Sequence, residues 1–141
     1  MKLSHIFSFL FCIVSFATFS QTKQPEASNQ QGAVVDKGLI KVSIMYPLAE
    51  GKTFNMEYYE NKHMPMVAAF LGPNLVKYTI EKGIASGISN QPLPYMAIGT
   101  FFVKSFDDYQ AAIAPKREAI RADFSNYTNV APIILVSEVI K

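Results

Sequence analysis

From Leu39 onward, apolar and polar residues alternate in short stretches, each bounded by Gly, Pro, Ser or Asn. Leu39–Tyr46 puts Ile40, Val42, Ile44 and Tyr46 on one face, which predicts a strand that Pro47 ends. Asn55 is placed to cap a helix from Met56 to about Met64. Pro65 breaks or restarts that helix, and Met66–Leu71 continues it to the stop at Gly72-Pro73. Val76–Lys82 sets Val76, Tyr78 and Ile80 against Lys77, Thr79 and Glu81, a second strand. After a Gly/Ser/Asn/Pro loop, Gly83–Pro94, a third strand is expected over Tyr95–Val103. Ser105 is placed to cap a helix running to about Ala114. Asp107 and Asp108 lie in its first turn, where the helix dipole favours carboxylates. Pro115 can open a short helix to about Asp123, and Ile133–Val139 reads as the last strand.

The order is β-α-β-β-α-β, which predicts an α+β, ferredoxin-like fold with an antiparallel sheet against two helices. In such a domain the far face of the sheet is normally polar. Here the third strand carries Met96, Ile98 and Phe102 opposite Tyr95, Ala97, Phe101 and Val103. The last alternates Ile133, Leu135 and Val139 with Ile134, Val136 and Ile140. Strands apolar on both faces need two covers. Helices supply one, and the sheet of a second copy is the simplest other, so a homodimer is expected.

The chain opens differently. Lys2 and His5 precede an apolar run, Ile6–Phe19, and Thr18-Phe19-Ser20 offers small residues where a signal peptidase reads them. The expectation is a signal peptide over residues 1–20, cleavage before Gln21, and an exported mature chain, periplasmic or extracellular. Residues 21–37, rich in Gln, Ser and Asn, are expected to be a disordered linker, and residues 38–141 the folded domain. Cys12, the one cysteine, would leave with the signal, and His63 would be the one histidine that stays. A net charge of +2 with scattered basic residues argues against nucleic-acid binding and against membrane association after cleavage.

Candidate chemistry concentrates in Phe54–Pro65, where Tyr59 and His63 are spaced i, i+4 and share a helical face. Histidine moves protons near neutral pH, and a neighbouring tyrosine can orient a substrate oxygen, so both are candidate catalytic residues, expected within hydrogen-bond reach of each other. The competing reading is a hydrogen-bonded histidine at a helix end with two core aromatics. Tyr46, Met66, Phe70, Tyr78 and Phe101 are expected to complete a pocket wall, with the loop Gly83–Pro94 as its lid. Glu60 and His63 form one E-x-x-H pair where di-iron sites use two, so no metal is expected. Neither is a bound cofactor: no Gly-rich phosphate motif follows a strand. Asn126-Tyr127-Thr128 matches a glycosylation acceptor, a common pattern.

The stretch Ile40–Pro47, then Phe54, Tyr58-Tyr59, His63 and Pro65, resembles the EthD family. Pro94–Thr100, Asn126–Asn129 and the closing strand fit the same resemblance, which runs from about Leu39 to the C-terminus. It implies a dimeric α+β barrel made of two ferredoxin-like sheets. It also implies an oxidoreductase association, since the family is named for ethyl tert-butyl ether degradation and similar proteins include small cofactor-free monooxygenases. The family's recurrent histidine carries over to His63 and its preceding tyrosine to Tyr59. The expected function is a small cofactor-free, monooxygenase-like enzyme acting on an apolar or aromatic molecule, with His63 as acid/base. The alternatives are a non-catalytic binding or carrier dimer and a purely structural dimer.

Overall fold

The computed structural model describes residues 36–141; the expected signal peptide and nearly all of the expected linker lie outside these. Among the described residues, four strands form one antiparallel sheet: β1 (Ile40–Pro47), β2 (Leu75–Lys82), β3 (Tyr95–Val103) and β4 (Ile133–Glu138), in the order β2-β3-β1-β4. Every strand begins and ends within a residue or two of its sequence expectation. The register places Tyr78, Phe101, Val42 and Val136 in one row and Ile80, Gly99, Ile44 and Ile134 in the next, both facing the helices.

The first helical arm comprises α1 (Met56–Tyr58), a π-helical segment (Tyr59–His63) and α2 (Met64–Leu71). The Asn55 side chain caps it by accepting from the Tyr58 amide. Pro65 restarts the helix rather than ending the arm, one of the two outcomes expected from the sequence. It sits at the start of α2, and the wider turn directly before it accommodates a ring that would clash with the carbonyl four residues back. The arm ends at Gly72, whose φ of +51° a residue with a Cβ adopts only under strain. The second arm comprises α3 (Phe106–Ile113), capped by Ser105 through the Asp108 amide, a 3-10 turn and α4 (Arg117–Ala122).

The core lies between arms and sheet, with Tyr46, Tyr59, Met64, Val67, Leu71, Phe101 and Val103 buried in it. Burying each such side chain contributes roughly 1.5–3 kcal/mol. On the opposite face, Thr79, Thr100, Ser43 and Leu135 form one row, and Glu81, Ile98, Met45 and Ile133 the next. At the β4 edge this face is open: Ile133 is 50% and Leu135 53% exposed.

Candidate active site

The π-helical segment builds the centre of the site. Positions i and i+4 of a helical turn lie on one face. Tyr59 and His63 therefore stack, with ring centroids 5.5 Å apart and planes inclined by 16°. Both are buried. The stacking corrects one expectation, since the polar partners of His63 do not include Tyr59. The Tyr59 hydroxyl points instead into the space left by Gly99, where a Cβ would come within 2.0 Å of it.

His63 bonds at both nitrogens. Nδ1 is 2.7 Å from Asp123 Oδ2, and Nε2 is 3.2 Å from the Tyr127 hydroxyl. Asp123 follows α4, at the start of a 3-10 turn, Asp123–Asn126. Its other oxygen accepts from the Tyr58 hydroxyl at 2.7 Å and from Asn126 Nδ2 at 2.8 Å. An ionised carboxylate only accepts, so the neutral imidazole carries its proton on Nδ1 and turns the Nε2 lone pair toward Tyr127. The Tyr127 and Tyr46 hydroxyls are 2.8 Å apart, extending the chain to the sheet.

Backbone pairing holds Tyr127 in place. The Asn55 amide donates to the Tyr127 carbonyl at 2.7 Å, and Phe54 bridges Thr128. Asn129 accepts from the Thr53 amide and donates to the Gly51 carbonyl. Around the hydroxyls, Tyr46, Phe54, Tyr59 and Tyr127 meet edge to face or tilted at centroid distances of 4.8–5.9 Å.

This environment sets the protonation states. Desolvation pulls His63 below its ordinary 6.5, against a partial upward pull from Asp123. Desolvation pushes Asp123 up, but hydrogen bonds from His63, Tyr58 and Asn126 outweigh it and hold the carboxyl below 3.8. Burial drives Tyr46, Tyr59 and Tyr127 well above the ordinary phenol value. Tyr58 is also raised, because its hydroxyl donates to a carboxylate that would repel a phenolate. Near neutral pH the site thus holds a neutral imidazole, an ionised carboxylate and protonated tyrosines.

A cavity of about 510 Å³ lies against His63, between the sheet and the second arm. Of the residues expected in its wall, Tyr46, Tyr59 and Phe101 line it together with His63. Met66, Phe70 and Tyr78 do not. The buried stripe of α2 runs through Met64, Val67 and Leu71, which leaves Met66 and Phe70 on its flank. Tyr78 sits on β2, at the sheet edge opposite the β4 side where the cavity lies. The loop Gly83–Pro94 contributes no lining residue, so it does not lid this cavity. Glu60 is exposed while His63 is buried, and among the described residues no group of three or more His, Cys, Asp or Glu side chains is placed to hold a metal ion.

Sequence reasoning missed Asp123, Tyr127 and the α4 arginines at the cavity, Arg117 and Arg121. The only available signal for the first two was indirect: a buried histidine needs an orienting acceptor, and Asp123-Phe124-Ser125-Asn126-Tyr127 is a polar and aromatic cluster directly after a helix.

The EthD domain profile matches residues 52–130, a span that holds Tyr59, His63, Asp123 and Tyr127. The chain belongs to the EthD family. An EthD-like protein of known crystal structure from Ralstonia eutropha JMP134 is 41% identical, with a TM-score of 0.69 over 74% of this chain and 95% of that one. An EthD family protein from Bacillus halodurans C-125 is 16% identical, with a TM-score of 0.54 over 72% of this chain and 98% of that one, and shares the fold. No curated protein matches the sequence. The EthD span starts after β1 and stops before β4, so it comprises both helical arms and the His63, Asp123 and Tyr127 groups but not Tyr46.

Proposed function

We propose that this EthD protein binds a small apolar or aromatic molecule in the cavity beside His63, and that His63 acts on it as acid and base. One observation carries the reading: Asp123 fixes the Nδ1 proton at 2.7 Å, which leaves Nε2 as the basic atom of a neutral, buried imidazole. In the oxidising form of this chemistry, Nε2 takes a proton from an acidic C–H of the substrate. The resulting carbanion gives its electrons to dioxygen, and the oxygen that leaves is protonated. Overall, a methylene and dioxygen yield a carbonyl and water, with no bound cofactor.

The test is deuterium exchange into apolar ketones with acidic α-hydrogens, such as 2-tetralone, followed by NMR alongside oxygen uptake. The protein should accelerate exchange, and His63→Ala should reduce that by about a hundredfold. Exchange no faster than in buffer, or unchanged in His63→Ala, would remove the catalytic role. A second reading, a non-catalytic carrier, draws on one observation: both ring nitrogens of His63 already have protein partners. In that case His63→Ala binds the same ligands and no exchange is seen with either protein.

We also propose that the mature chain is exported after cleavage before Gln21, which N-terminal sequencing of protein from its host checks. We further propose that it is a homodimer joined through the open face of the sheet. The exposed Ile133 and Leu135 beside Met45 and Ile98 support the pairing.

A further inference from the structure

The cavity is not uniformly apolar. Ile113, Ile120, Phe124 and Val136 form much of its wall, but Arg117 and Arg121 also reach it from α4. Their i, i+4 spacing puts both guanidinium groups on one helical face, a repulsive arrangement unless an anion lies between them. The protein supplies little to offset it. No Asp or Glu lines the cavity. Among the described residues Arg117 makes no ion pair, and Arg121 reaches Glu118 only at 3.7 Å, with side chains 66% and 90% exposed. That separation exceeds the length of a charge-assisted hydrogen bond, and pairs so exposed contribute little. Asp123, the nearest carboxylate in sequence, is already engaged by His63, Tyr58 and Asn126. His63 is neutral, so the positive charge of the cavity sits on α4 alone.

We infer that the ligand is amphipathic: an apolar body seated against His63 and Tyr59, and one anionic group, a carboxylate or a comparable oxyanion, held by Arg117 and Arg121. Planar guanidinium forks match a carboxylate in two-pronged geometry. Tyr109 and Gln110 also line the cavity and add neutral hydrogen-bonding groups. The inference rests on the reading that this cavity binds a small molecule; it does not need His63 to be catalytic.

Calorimetry with two probes of one shape separates the two. 2-Naphthoate carries the anion, and 2-naphthamide is its neutral counterpart. The purified protein should bind naphthoate about tenfold more tightly, the effect of one added charge-assisted hydrogen bond. Added salt should erode that preference. The double variant Arg117→Gln/Arg121→Gln, both positions being exposed, should keep its thermal melting temperature and lose the preference between the two probes. Equal binding of the two probes by the unmodified protein overturns the anion assignment and leaves the cavity reading standing. A preference that survives in the double variant overturns the role of the arginines. Binding of neither probe overturns both readings.

Discussion

His63 and Asp123, sixty positions apart in the chain, meet with Nδ1 2.7 Å from Oδ2. The contact joins the two helical arms, since His63 ends the π-helical turn of the first and Asp123 follows α4 in the second. It also fixes the imidazole's tautomer, because the carboxylate can only accept. The far side of the ring follows from that: Nε2 is a lone pair and Tyr127 donates to it.

Tyr127→Phe tests that proton assignment. A hydroxyl donating to Nε2 favours the neutral ring, so its loss should raise the His63 pKa toward the ordinary value. The imidazole resonances, followed by NMR through a pH titration, report the shift. A shift downward would mean that Nε2 carries the proton. The variant should also lose about 1–3 kcal/mol of stability, because the buried Tyr46 hydroxyl is left without its partner.

Acid should destabilise the fold in two separate windows. His63 lies below 6.5 when folded, so its contribution is full above 6.5 and is lost as pH falls toward the lowered value. Asp123 lies below 3.8 when folded, so its contribution is full above 3.8 and is lost as pH falls through the lower folded value. Denaturant unfolding across pH should show His63→Gln flattening the first window and Asp123→Asn the second. A protein that gains stability on acidification from neutral pH to 5 would contradict the assigned burial of a neutral His63.

Gly99→Ala should cost about 1–3 kcal/mol, since the new methyl group collides with the Tyr59 hydroxyl at 2.0 Å. Adding Tyr59→Phe removes the colliding oxygen and should recover part of the loss. Strict additivity of the two changes would show that the clash is relieved elsewhere.

Sedimentation of the chain from Gln21 onward should give twice the chain mass at micromolar concentration. Leu135→Lys, placed on the open sheet face, should yield a folded monomer. A well-folded monomer without the substitution would remove the proposed barrel.

Local chemistry determined much of this protein in advance. Strand positions follow from the alternation of apolar and polar residues, and the caps at Asn55 and Ser105 from side chains that satisfy amides three residues on. The Tyr59–His63 spacing marked the centre of the site for the same reason: i, i+4 is a short-range relation that a helical turn enforces. The tertiary structure alone decided what surrounds that pair. No periodicity connects His63 to Asp123 or Tyr127, which arrive only when the second arm packs back and the segment after it pairs with residues 51–55. The wall of the cavity was likewise beyond composition, because Met66 and Phe70 are as apolar as Met64 and Val67, and only the phase of α2 against the sheet separates them. A sequence specifies which residues prefer burial. Which of them face one cavity depends on how distant elements pack, and that is settled by the fold as a whole.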